Sequence, residues 1–296
     1  MIAWLTHPAV YRWSQALLAP GAATVLENAI GQRIQASGAL AACRRAGRRA
    51  RVLDVGCGPR SMLAGWCGQT PGRGPQFEVV GVDLSLPHVR AFRAGVGAAG
   101  VVASACCLPF ADGSFDIVLS CGLLHHLGDD EAARALAEMH RVGAPGSELV
   151  VLDAVLPLQP WRRPLAHAIR RLDRGRHMRS EAALRALLER AGRTDGKDGK
   201  DGKQGVEGTE GTEGTEGAGQ AMRAQGTVAG AGGCWHAERF TYARTGLEGL
   251  LATRRLAAPT TPTALTSLAA QTAQSAPSAL RALRAPVAAP AAPQAR

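Results

Sequence analysis

Apolar residues along this chain gather in short runs that stop on glycine or a carboxylate. Val52, Leu53 and Val55 form one such run, broken at Gly56 and Gly58; Val79-Val80-Gly81-Val82 forms another and ends on Asp83. Val101-Val102-Ala103, Phe115–Ser120 and Glu148–Leu152 continue the series. Short runs without polar alternation belong to strands buried on both faces, as in a parallel sheet. The stretches between them carry helix signals. A helix starting near Ser61 would bury Met62, Leu63 and Trp66; Ser85 followed by Pro87 caps the next. Asp129 and Asp130 open a third, which runs to Arg141 with its acids and bases placed as the helix dipole prefers. Strand alternating with helix predicts a doubly wound α/β sheet, mostly parallel.

The flanks differ in texture. Residues 8–19 carry Val10, Trp13 and Leu17 at helical spacing. Leu26, Ile30 and Ile34 mark a second helix, with Gly38 past its regular part, and the arginine-rich 41–50 reads as a solvated connector. Residues 1–46 therefore form an N-terminal helical flank, either a lid or simple packing, ahead of a core at 47–193. Within that core, 157–179 is basic and broken by prolines. It holds a helix with Leu165, Ile169 and Leu172 on one side. A further helix follows Ser180, with Leu184, Leu187 and Leu188 inward and Gly192 at its end. Glycine then recurs every third residue from Gly196 to Gly217 among charged residues and without proline, so 194–233 is expected to be a disordered insertion rather than a collagen-like helix. Residues 234–255 resume as strand, the last part strand or short helix, and 256–296 is an Ala/Pro-rich tail expected to be disordered.

Charge and cysteine narrow the function classes. The net charge of +10 invites nucleic acid, but the basic charge is almost all arginine, with three lysines. Five arginines (Arg254, Arg255, Arg281, Arg284, Arg296) lie in a C-terminal stretch without acids, and no aromatic-and-basic motif accompanies them. Seven scattered cysteines without a C-x-x-C pair argue against a disulfide framework and a zinc site, and no metal is expected. The start lacks a basic n-region and long apolar h-region, and no apolar run reaches the ~18 residues of a membrane span, so a cytoplasmic location is expected.

The candidate chemistry sits at the strand tips. Glycines at 56 and 58 let the backbone turn and let a ligand approach closely. A carboxylate at the tip of the second strand suits the two hydroxyls of a ribose. Together they describe a nucleoside-type cofactor across two parallel strands. The segments Asp54-Val55-Gly56-Cys57-Gly58, Val82-Asp83-Leu84-Ser85, Leu108-Pro109-Phe110…Phe115-Asp116…Leu124-His125-His126-Leu127 and Arg141-Val142…Pro145-Gly146 resemble the class I S-adenosylmethionine-dependent methyltransferases, most closely the type 11 small-molecule group. The resemblance is good over about 50–155 and looser to 253.

It implies a Rossmann-like, seven-stranded, mostly parallel sheet closed by an antiparallel C-terminal hairpin, and S-adenosylmethionine as cofactor. Cofactor-binding residues would be Asp54, Gly56, Cys57, Gly58, Asp83, Leu84, Ser104, Ala105, Cys106, Ser120 and Cys121. Asp54 would orient the amino group, Asp83 the ribose, and 104–106 would flank the adenine, with Ser120 and Cys121 near the sulfonium. A general base is optional in methyl transfer; His126 is the first candidate, His125 the second. Asp153, Asp173 and His177 are candidates for the acceptor pocket. Two departures stand out: Arg60 replaces the third glycine of the loop, and Ser104 replaces the usual acidic residue.

A nicotinamide dehydrogenase would need the final glycine of G-x-G-x-x-G, which Ser61 occupies. A degenerate, non-catalytic cofactor-binding domain remains the alternative. The basic, part-apolar stretch from Trp161 to Arg176 could touch anionic lipid and take a lipophilic substrate, or simply be a solvated helix shielding the pocket. A small-molecule substrate is expected, and nucleic acid is not.

Overall fold

The first apolar run becomes the middle of the sheet. In a computed structural model that describes residues 22–66, 77–172, 175–192, 227–228, 235–241 and 247–257, β1 (Ala50–Val55) pairs in parallel with β2 (Phe77–Asp83) on one side and β4 (Phe115–Cys121) on the other. The edge beyond β2 is β3 (Ala99–Val102); beyond β4 lies β5 (Gly143–Val155), also parallel. β8 (Glu248–Arg255) then runs antiparallel to β5, and β7 (Trp235–Thr241) antiparallel to β8. The order is β3-β2-β1-β4-β5-β8-β7-β6. The seven expected strands are all present, hairpin included. The eighth, β6 (Thr227–Val228), is a two-residue addition that pairs with β7 inside the stretch expected to be disordered.

Helices cover both faces. On one lie α1 (Ala22–Gln35), α2 (Gly38–Arg45) and α3 (Leu86–Val96); on the other, α4 (Asp129–Val142) and α6 (Glu181–Gly192). α5 (Pro164–Leu172) lies in the connection from β5 to α6. Ile30 and Ile34 of α1 are fully buried, which contributes on the order of 3–6 kcal/mol for the pair and fixes the flank to the sheet.

Three sequence expectations change. Gly38 does not end a helical region: Ser37 caps a new helix there, its Oγ accepting from the Leu40 N–H, and Leu40 and Cys43 are buried in what reads as a connector. The helix expected from Ser61 shows, in the described residues, only a 3-10 turn at Ala64–Trp66. α5 forms where expected, but Leu165 of the expected inward face is exposed, Ala166 is buried, and Ile169 is half-buried. The expected helix at 8–19 lies outside the described residues.

Candidate functional site

The site is built where β1 and β2 end side by side. Gly56 and Gly58 both have positive φ, 71° and 59°, a region that L side chains rarely adopt. The Gly56 and Cys57 N–H groups donate to the Val82 carbonyl, tying the loop to the end of β2. No atom lies within 4 Å of where a Cβ on Gly58 would stand, while one on Gly56 would stand 3.0 Å from Leu123. The Gly58 N–H donates to Asp83 Oδ2 at 3.0 Å, and the Ser85 N–H to Asp83 Oδ1 at 2.8 Å. Burial pushes the Asp83 carboxyl up, but His88 and the Ser85 and Gly58 amides outweigh it and hold the group below its usual range. Asp83 is thus a carboxylate with one protein amide on each oxygen and lone pairs left over.

Asp54 behaves differently. It is 2 % exposed, and Ser61 donates to its Oδ2 at 2.6 Å. Burial raises its pKa to about 6; the Ser61 bond opposes the shift and the Asp83 charge adds to it. Ser61 is fully buried and also accepts from the Leu63 N–H. The sequence marks Ser61 as a helix start and as the residue in place of a final loop glycine, not as a partner of Asp54. Its signal, a serine seven residues after the acid in a glycine loop, is too common to be read alone.

The other expected cofactor residues divide. Leu84, next to Asp83, is 77 % exposed. The Ala103 N–H donates to the Asp83 carbonyl, which brings the 104–107 turn beside Asp83. Ser104 is exposed, and its Oγ accepts from the Cys106 N–H at 3.2 Å; Ala105 packs on the core and Cys106 Sγ donates to the Glu131 carbonyl. Ser120, paired with Val55, is buried, and its hydroxyl has no hydrogen-bond partner among the described residues. Cys121 is half-buried; burial, then Asp54 and Asp153, push its thiol far up. The Cys57 side chain does not face the loop's open side. It is buried against Gly81, so only its backbone is placed for a ligand.

A second cluster stands at the tips of β4 and β5. Asp153 is 1 % exposed and accepts backbone N–H bonds from Leu124, His125 and Ala154. His125 Nδ1 lies 2.5 Å from Asp153 Oδ1. The ring is hemmed in: a Cβ on Gly175 would stand 2.1 Å from His125 Cδ2, and one on Gly122 3.6 Å from Cε1. His126, the first-ranked base, is exposed and tilted over His125 with ring centroids 4.1 Å apart. Of the two histidines, His125 is the one that Asp153 orients. The His177 N–H donates to the His125 carbonyl, but its side chain is exposed; Asp173 lies outside the described residues.

Motif residues away from the tips serve the scaffold. Asp116 takes both arms of Arg48 and the Arg51 N–H. Arg141 grips the Leu108 and Phe110 carbonyls, Asp112 and Glu138, clamping the Leu-Pro-Phe turn. Arg60, in place of a glycine, reaches sideways to Glu27 on α1 at 2.6 Å. Arg179 is buried and donates to the Leu124 and Leu127 carbonyls and to Asp129, latching the strip after α5 onto the histidine loop. Little in the local sequence marks Arg179, since the Leu124, Leu127 and Asp129 groups it holds lie 50 or more residues away. Among the described residues no group of three or more His, Cys, Asp or Glu could hold a metal ion, and no helix is long and apolar enough to cross a membrane.

Comparison with known proteins falls on the same region. Residues 53–151 match the sequence model of a family described as "Methyltransferase domain". A demethylmenaquinone methyltransferase of Thermus thermophilus is 36 % identical over 108 residues, covering 35 % of this chain and 46 % of that protein. A malonyl-[acyl-carrier protein] O-methyltransferase of Pseudescherichia vulneris is 39 % identical over 100 residues (33 % and 37 %). A probable tRNA methyltransferase 9B of Mus musculus is 35 % identical over 126 residues (38 % and 26 %). The chain thus spans less than half the length of these relatives, and their names differ in the acceptor. Over residues 53–151 the chain is thus similar to a methyltransferase domain.

Proposed function

We propose that the protein transfers a methyl group from S-adenosylmethionine to a small-molecule acceptor. The observation that carries this reading is the pairing of the Gly56–Gly58 turn with Asp83. A bare backbone with room beside Gly58 adjoins a carboxylate that keeps acceptor capacity after taking two protein amides. The residues present fit the cofactor. Asp83 would accept from the ribose hydroxyls, and the buried Asp54 would face the ammonium. Leu84 and the 104–106 turn would flank the base, and Ser120 and Cys121 the sulfur end. One of the relatives above is named for demethylmenaquinone, a small molecule, which supports that class here; another is named for malonyl-[acyl-carrier protein], an acceptor carried on a protein.

When bound, S-adenosylmethionine supplies a methyl group on a cationic sulfur, already activated for in-line displacement. The protein's share is alignment and exclusion of water. Where the acceptor must lose a proton, His125 is the base. Its Nδ1–H donates to the Asp153 carboxylate, which fixes the ring and makes Nε2 the basic nitrogen. Asp153 is held in turn by three backbone amides, so the dyad is set before any ligand arrives.

The test is a metabolite screen that detects the demethylated cofactor product, run with Asp83→Ala as the blank. The variant is expected to lose about 2–4 kcal/mol of cofactor binding, the loss of hydrogen bonds to a charged group, with its circular dichroism unchanged. A second reading, binding without turnover, has Ser104 in its favour, because a hydroxyl replaces a charged acceptor. Cofactor binding without turnover on any acceptor would establish that second reading.

A further inference from the structure

Among the described residues, seven large apolar side chains are exposed, and three of them fall within eight positions: Leu158 (66 %), Trp161 (74 %) and Leu165 (67 %). The cause is visible in the packing of α5. Arg163 pairs with the buried Glu248 at 3.1 Å, and Arg170 donates to the Glu248 carbonyl at 2.8 Å. Leu158 N–H also donates to Glu248. These anchors turn the arginine side of the helix onto β8 and leave Leu165, Ala168 and Arg171 outward, with Trp161 and Arg162 exposed just before. Arg176, past the helix, is exposed as well. Residues 154–172 contain four arginines and no acid at all.

We propose that this face docks on an anionic lipid bilayer. An exposed indole and two leucines can enter the headgroup boundary while the flanking guanidinium groups pair with lipid phosphates. A second copy is a poorer occupant, because a two-fold contact would set the same arginines against one another. The face is joined to the site by the chain: β5 carries Asp153 near its end and stops at Val155, the chain passes through Trp161 and α5, and Gly175 lies against the His125 ring. Docking would bring the carboxyl edge of the sheet toward the membrane surface. The proposal does not depend on methyl transfer, and its test involves no turnover.

The experiment is co-sedimentation of the full-length protein with phosphatidylcholine vesicles, with and without phosphatidylglycerol. Pelleting is expected with the anionic vesicles at low salt, not with phosphatidylcholine alone, and release at high salt. Arg171→Gln should weaken partitioning about fivefold, and Trp161→Ser with Leu165→Ser by about tenfold or more. Absence of pelleting at low salt overturns the proposal. So does pelleting unchanged in both variants with native circular dichroism, which would place the contact on another basic segment such as 254–296. A dimer in sedimentation velocity that the double variant dissolves, without vesicle binding, overturns it in favour of self-association.

Discussion

Two carboxylates on neighbouring strands are held in opposite states, and this difference makes the cofactor reading testable at single residues. Asp83 is kept ionised by His88 and two amides, whereas burial keeps Asp54 protonated up to about pH 6. An ammonium beside Asp54 favours its charged form, so cofactor binding should release a proton at low pH. Affinity should rise as pH increases through about 6, by about tenfold between pH 5 and 7, then level off. Without ligand the sign is reversed. A carboxyl whose folded pKa exceeds its unfolded value withdraws stability as pH climbs from about 4 to about 6. Titration calorimetry at both pH values checks this, and an Asp54→Asn variant should lose the pH dependence. Ser104 gives a second test. A serine in place of an acidic residue costs about 1–2 kcal/mol of cofactor affinity, so Ser104→Asp should bind more tightly; equal affinity would dismiss the idea. The glycines and Asp83 were legible in the sequence because their roles are local: a positive φ, and a carboxylate at a strand tip. The choice between His125 and His126 was not legible. It depends on Asp153, 28 residues on, and on which adjacent ring the 3-10 turn at Leu124–His126 directs toward it.

At the scale of elements, long-range polar contacts decide what periodicity cannot. Leu165, Ile169 and Leu172 have proper helical spacing, and the sequence places them inward. Glu248 draws Arg163 and Arg170 to β8, and Leu165 is left exposed. The same buried carboxylate pairs with Arg239, which also meets Glu181 at the start of α6, so one network joins α5, α6 and the C-terminal hairpin. Gly38 was misread for a related reason: a glycine after a helix signals a stop, but Ser37 just before it is a cap. The Arg179 latch is the element-scale feature with the sharpest consequence. It satisfies two carbonyls of the histidine loop and is 8 % exposed. Arg179→Leu should destabilise the fold by about 2–4 kcal/mol, the cost of stranding buried acceptors. Arg179→Lys should recover little, because one ammonium cannot span the fork of partners. Urea unfolding of both variants measures this, with a shift in midpoint at constant slope as the expected signature.

For the whole molecule, the sheet was legible because its parallel strands carry short apolar runs closed by turn signals, whereas β6 offers no such run. The strand order then follows from right-handed crossovers and the returning hairpin. What divides the chain is the glycine-triplet stretch. From Gly196 to Gly217 it offers one valine and one glutamine among glycines, threonines and charged residues. Its two sides are nevertheless committed to the same sheet: α6 ends at Gly192, and Trp235 of β7 donates its indole N–H to the Leu188 carbonyl of α6. The contact between α6 and β7 therefore does not depend on the triplets as a spacer. Closure of a flexible loop costs only about 0.6 kcal/mol per doubling of length. Deleting 196–217 removes roughly half of the chain between Gly192 and Trp235, so it should leave the fold and cofactor affinity intact and raise stability by no more than about 0.6 kcal/mol. Thermal unfolding of the deletion variant with and without S-adenosylmethionine measures both. A loss of several kcal/mol would mean that the triplets pack against the domain, and loss of the cofactor-dependent shift alone would mean that they contribute to the site.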